Sequence, residues 1–116
     1  MKIMVTNQTK TIDIAKDFSP VPAGRHVSDG DYSGEFFRTS ILRPALNGFA
    51  TVEVILDNTE GFGSSFLEEA FGGLIRDGLS AQYLSEHLLL TANSPAGKRY
   101  KAKIRQYIAD ASKLSH

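Results

Sequence analysis

Cysteine is absent from this chain, which removes disulfides, thiolate nucleophiles and thiolate metal ligands together. A reducing compartment, the cytoplasm, suits such a composition. Net charge is absent as well: 13 basic side chains balance 13 acidic ones, so the chain as a whole lacks the field that draws a protein to nucleic acid or anionic lipid. Long apolar runs are also missing. Stretches such as His87-Leu88-Leu89-Leu90 fall far short of the roughly 20 apolar residues of a membrane span. The opening residues Met1 to Asn7 turn polar too soon for a span or a signal peptide. Histidines are few and scattered at His26, His87 and His116, without the spacing of a zinc site. No metal or other cofactor is expected.

What is present is an ordinary globular balance, 41% hydrophobic and 22% charged over 116 residues. A chain of that size builds one core, so residues 1–116 are read as a single domain. Lys2 to Val5 and Thr11 to Ile14 predict two short strands, with the polar Asn7-Gln8-Thr9-Lys10 between them as a hairpin turn. A proline- and glycine-rich segment follows from Phe18 to Asp31, long enough for a functional loop. Ser33 is a good N-cap for a first helix, with Glu35 in its first turn and Phe37, Ile41 and Ala45 as its buried stripe. Pro44 predicts a kink or restart in that helix.

Thr51 to Asp57 reads as an interior strand covered on both faces, as in a parallel sheet. A second helix runs from Ser64 or Ser65 to Asp77, with Gly78 at its left-handed C-terminal cap. Its apolar face is Phe66, Ala70, Phe71, Leu74 and Ile75; Glu68, Glu69, Arg76 and Asp77 are expected in water. Gly72 and Gly73, unfavourable inside a helix, predict close packing of helix on sheet. Leu88 to Thr91 forms another strand. Ala96 to Leu114 forms a last helix with Tyr100, Ile104, Tyr107, Ile108, Ala111 and Leu114 at helical spacing. The order ββαβαβα implies an α/β fold with a mixed, mainly parallel sheet.

The strand ending at Asp57 leads into a helix through Gly61-Phe62-Gly63-Ser64-Ser65-Phe66, at the carboxyl edge of the sheet where open α/β proteins meet ligands. Ser65 and Glu68 fit an S-x-x-E capping box, which leaves Ser64 free beside unpaired helical amides that welcome a phosphate. In a competing frame Gly63 is the cap, Phe62 staples onto Leu67, and the two serines are less distinct. Phe62 and Phe66 are candidate apolar anchors for a partner. The Lys-Ser/Thr of a Walker loop is missing.

Asp57, Gly63-Ser64-Ser65-Phe66 and the following helix resemble the STAS domain of anti-sigma factor antagonists, in which a strand leads to an Asp-Ser-Ser-Gly turn and a helix. Together with Ser33-Gly34-Glu35-Phe36-Phe37-Arg38, the whole chain is more closely similar to a bacterial STAS-like family of unknown function. The resemblance implies a small ββαβαβα domain that works by binding protein rather than by catalysis. It also implies a histidine-kinase-like ATPase as partner, phosphorylating the serine that matches Ser64. The aspartate and glycine of that turn are Gly63 and Phe66 here. The same edge implies that Arg25, in the long loop, faces Ser64 and pairs with its phosphate or with an acidic group on the partner. Asp57, Phe62, Gly63, Ser65 and Phe66 complete the candidate docking residues, and a homo-oligomer is compatible with all of this.

Two rival readings come from other classes. One is a small enzyme or nucleotide-binding domain using the same sheet edge as a pocket, for which a Ser64, His26 and Asp57 triad can be drawn without the G-x-S-x-G elbow. The other is a nucleic-acid factor using Lys98, Arg99, Lys101, Lys103 and Arg105 of the last helix. Those charges spread around the helix without interleaved stacking aromatics, as on a solvated face.

Overall fold

The structure is a computed structural model that describes residues 6–114. Strand β1 (Thr6–Asp13), β2 (Phe49–Ile55) and β3 (Leu88–Thr91) form a parallel sheet in the order β1-β2-β3. Helix α1 (residues 34–48) joins β1 to β2. Helices α2 (residues 64–76) and α3 (Ala81–His87) lie between β2 and β3, and α4 (Pro95–Leu114) follows. Among the described residues both pairings are parallel, and the α/β class and a mainly parallel sheet are as the sequence predicts. The expected hairpin is not. Asn7 to Lys10 lies within β1, whose Thr9, Lys10 and Thr11 pair with Thr51, Val52 and Glu53, and the predicted strand at Lys2 to Val5 lies outside the described residues.

Alternation along each strand sends Ile12, Val52, Val54 and Leu90 into the core, where each is at most 5% exposed. Residues of the other face, Thr51, Glu53 and Ile55 among them, are only half-buried, and Leu89 is exposed. Coverage of β2 on both faces is therefore corrected to one face among the described residues. Glu53 accepts hydrogen bonds there from the hydroxyls of Thr11 (3.1 Å) and Thr91 (2.7 Å), so one carboxylate ties all three strands.

Ser33 caps α1 as expected, its Oγ accepting from the Phe36 amide at 3.1 Å. At Pro44 the helix restarts, as expected: regular α-helical pairing resumes over Arg43–Gly48 with Pro44 in its first turn. The turn before it, Arg38–Leu42, is widened to a π-turn in which the Arg43 amide donates to the Arg38 carbonyl, and Pro44 follows within the helix. Helix α2 carries a matching π-turn at Glu68–Gly72. It ends in a Schellman motif, with Gly78 at φ +110°, its amide donating to the Ile75 carbonyl, and the Leu79 amide donating to that of Leu74. Helix α3 was not foreseen; Ser80 starts it by accepting from the Tyr83 amide at 3.0 Å. On α4 the predicted stripe holds at Ile104 and Ala111, whereas Leu114 is 87% exposed.

Candidate functional site

Helices α1 and α2 both begin at the carboxyl edge of the sheet, and their starts touch: a Cβ on Gly34 would collide with the Phe66 carbonyl. The long loop reaches the same rim. Its Gly24 and Arg25 carbonyls accept from the first amides of α1, Gly34 (2.9 Å) and Glu35 (2.9 Å), and its Pro20 carbonyl accepts from Glu60 at 2.7 Å. The rim thus consists of residues 19–33 and 56–65, laid over an aromatic cluster in which Phe66 stands between Phe37, Phe18 and Phe62 with ring centres 5.7 to 6.1 Å apart.

Ser64 and Ser65 are exposed on this rim. Gly63 is the N-cap of α2, and it supplies no side-chain oxygen to the first amides. The Gly63 frame is therefore the one that forms, and the Ser65–Glu68 capping box does not. With it goes the distinction between a free Ser64 and an occupied Ser65. Phe62 is half-buried, stacked on Phe66 and edge-on to Tyr100 at 5.0 Å. Phe66 is fully buried and cannot anchor a partner; it belongs to the core.

Exposed apolar surface does lie at this rim, on residues that sequence reasoning passed over. Val21, Val27, Tyr32 and Phe36 are 42% to 55% exposed, and the Tyr32 and Phe36 rings both rest on Phe18. The signal was present: with Phe37 on the predicted buried stripe, helical spacing turns the adjacent Phe36 outward, beside Tyr32 and the Ser33 cap. Phe37 takes the core and Phe36 the surface.

Asp57 serves the fold. Its carboxylate accepts from the Ser94 hydroxyl (2.6 Å) and from the amides of Asn93 (2.7 Å) and Ser94 (3.0 Å), just before α4. The Ser94 hydroxyl bond leads the causes that hold Asp57 below its usual carboxyl range. Ser94 Oγ in turn accepts from the Gly97 amide at 2.9 Å, so Asp57 brackets the start of that helix. His26 faces Glu35, with Nδ1 3.4 Å from Oε1. The drawn triad of Ser64, His26 and Asp57 is thus not assembled. Among the described residues no three of His, Cys, Asp or Glu gather as a metal set, and no helix is long and apolar enough to cross a membrane.

Arg25 lies beside α2 with its guanidinium already engaged within the chain, 2.6 Å from Glu68 and 3.1 Å from Glu69. It belongs to a network that the sequence did not reveal. Arg76 also holds Glu68 (2.7 Å), while Arg38 holds Glu69 (2.8 Å) and Asp77 (2.9 Å) and donates to the Glu69 carbonyl. Glu69 is 8% exposed rather than in water, and Glu68 is half-buried. Hydrogen bonding from Arg76, then from Arg25, keeps the Glu68 carboxyl below its ordinary range despite burial. Burial pushes Glu69 up, and the bonds from Arg38 and Arg25 outweigh it, so Glu69 also titrates low. Gly73 makes this possible by leaving room for Arg38, since its missing Cβ would lie 2.6 Å from the guanidinium carbon. The close approach at this glycine is to an arginine of α1 rather than to the sheet.

Among the described residues, a three-stranded parallel sheet packed with helices and a loop-built carboxyl rim is consistent with a small STAS-like α/β domain. A family model described as a STAS-like domain of unknown function (DUF4325) matches residues 33–98, more than half of the chain, and the chain belongs to that family. The match runs from the α1 cap to the first turn of α4 and includes the Gly63–Ser65 bend. No curated protein and no solved structure matches the chain.

Proposed function

We propose that the protein is a cytoplasmic regulatory module that docks another protein through the carboxyl rim and is switched by phosphorylation at Ser64. The observation that carries this reading is the exposed apolar group of Val21, Val27, Tyr32 and Phe36 beside an open, serine-bearing helix start. Exposed aromatic side chains on a rigid base are the usual anchors of protein interfaces. Beside them, the first amides of α2 and the Arg25 guanidinium favour a phosphate.

A phosphate on Ser64 would lie one helical turn before Glu68. It repels that carboxylate and competes with it for Arg25, so modification alters the surface of α2 as well as its charge. The resemblance to anti-sigma factor antagonists makes a histidine-kinase-like ATPase the expected partner and phosphorylating enzyme.

Affinity purification of tagged protein from its native cell, with intact-mass measurement, tests both parts. One added phosphate mapped to Ser64, and partner retention that differs about tenfold between Ser64→Ala and Ser64→Glu, a difference of about 1.4 kcal/mol, support the switch. Equal retention by the two variants rejects it. Unchanged retention by a Tyr32→Ser/Phe36→Ser double variant rejects the rim as the docking surface.

A further inference from the structure

The opposite flank of the sheet carries a second recognition feature, independent of the rim. β3 is an outer strand among the described residues. The Thr91 carbonyl accepts from the Leu56 amide at 3.0 Å, and Ile55 pairs with Thr91, so the backbone groups of Leu89 and Thr91 face β2. By alternation, the N–H and C=O of Leu90 and the C=O of Leu88 face the open side. The Leu88 amide is used, closing α3 on the Leu84 carbonyl.

Along this open edge runs a cleft of about 430 Å³ between α3 and α4. Its apolar walls include Leu84, Leu90 and Ile108, and Arg105 stands in its lining. Arg105 is exposed and pairs with no carboxylate among the described residues; Lys101, one turn earlier, extends the positive face. Leu89, 50% exposed, also contributes to the lining of the cleft.

From these features we infer that the β3 edge takes an extended, acidic segment of another protein by strand addition. The added strand pairs with the outward groups of Leu90 and Leu88. Alternate side chains enter the cleft, one apolar against Leu84 and Ile108 and its acidic neighbour on the same face against Arg105. The backbone edge distinguishes this occupant from a small organic acid, which would leave the Leu90 amide unpaired. Pairing with a second copy is disfavoured, because a two-fold pairing of this edge sets two unpaired Arg105 groups on the same side of the joined sheet.

The test uses the full chain and a labelled peptide, acetyl-Thr-Glu-Val-Leu-Val-Glu-Thr-amide, whose symmetry serves either strand direction. Binding is read by fluorescence anisotropy and by amide hydrogen exchange. The expected result is saturable binding, weakened about tenfold by Arg105→Glu and by replacing both peptide glutamates with lysine, with new protection at the Leu90 amide but little change at Leu89. Absence of binding at millimolar peptide, equal binding of the acidic and basic peptides, or binding without protection of Leu90 overturns the inference. Sedimentation showing a dimer through β3 that excludes the peptide also overturns it, in favour of self-pairing. A melting temperature for Arg105→Glu equal to that of the parent confirms that this exposed substitution leaves the fold intact.

Discussion

Replacing Gly73 with alanine sets two physical effects against each other with opposite signs. Helix propensity alone makes the substitution stabilising by about 1 kcal/mol. In the folded chain, however, the new methyl would lie 2.6 Å from Arg38 Cζ and 3.0 Å from Nε. Arg38 is 8% exposed and held by Glu69 and Asp77, so it can move only by giving up those bonds. Removing one partner of a buried ion pair costs about 3–5 kcal/mol because the other charge stays behind. Less the propensity gain, Gly73→Ala is expected to destabilise the domain by about 2–4 kcal/mol, which lowers the melting temperature of a domain this size by roughly 10 °C. Urea unfolding of Gly73→Ala, Arg38→Ala and the double variant gives the assay. With Arg38 truncated the methyl meets no guanidinium, so adding Gly73→Ala to Arg38→Ala should be neutral or slightly stabilising. A Gly73→Ala single variant more stable than the parent would refute the account of Arg38.

Other consequences of the same geometry can be checked directly. Glu68 and Glu69 titrate below their usual value of 4.5, so their contribution to stability is complete above that pH and is lost as pH falls through the lowered native values. Urea midpoints should therefore be steady from pH 7 to about 5 and fall below about 4, and Glu69→Gln should flatten the fall; a parent midpoint unchanged at pH 3 contradicts this. Phe66→Ala should cost about 3–5 kcal/mol as a core truncation, whereas Tyr32→Ser should cost less than about 1 kcal/mol while reducing partner recovery. Similar melting temperatures for the two variants would count against the division between core Phe66 and surface Tyr32.

Elements whose signals are local were legible in the sequence. The Ser33 cap, the Gly78 terminus, the Leu88–Thr91 strand and the extent of α4 rest on neighbouring residues, and the structure reproduces them. The exposed serine bend at the start of α2 belongs with them. What escaped depends on distant partners. Glu69 looks solvated on a regular helical wheel because Arg38, 31 residues earlier, is invisible to periodicity. Asp57 looks available until Ser94, 37 residues later, folds back on it. The hairpin reading failed because a polar run can be an outer strand: Thr9 and Thr11 are exposed in β1 while Ile12 and Ile14 enter the core.

The π-turn of α2 also bears on how the chain can change length. Its buried hydrophobic side chains come in pairs, Phe66 and Leu67, Ala70 and Phe71, Leu74 and Ile75, spaced by four rather than 3.6. In a regular helix each four-residue step drifts about 40° around the axis, so the third pair would have swung well away from the first. The extra residue of the wide turn absorbs that drift. Rewinding Glu68–Gly72 as regular helix at unchanged length would swing Leu74 and Ile75 by about 80° and carry Arg76 and Asp77 with them, whereas also excising one residue there returns them to within about 20° of their present facing. The irregular turn is therefore the place where this helix can lose one residue and become regular while keeping its buried face.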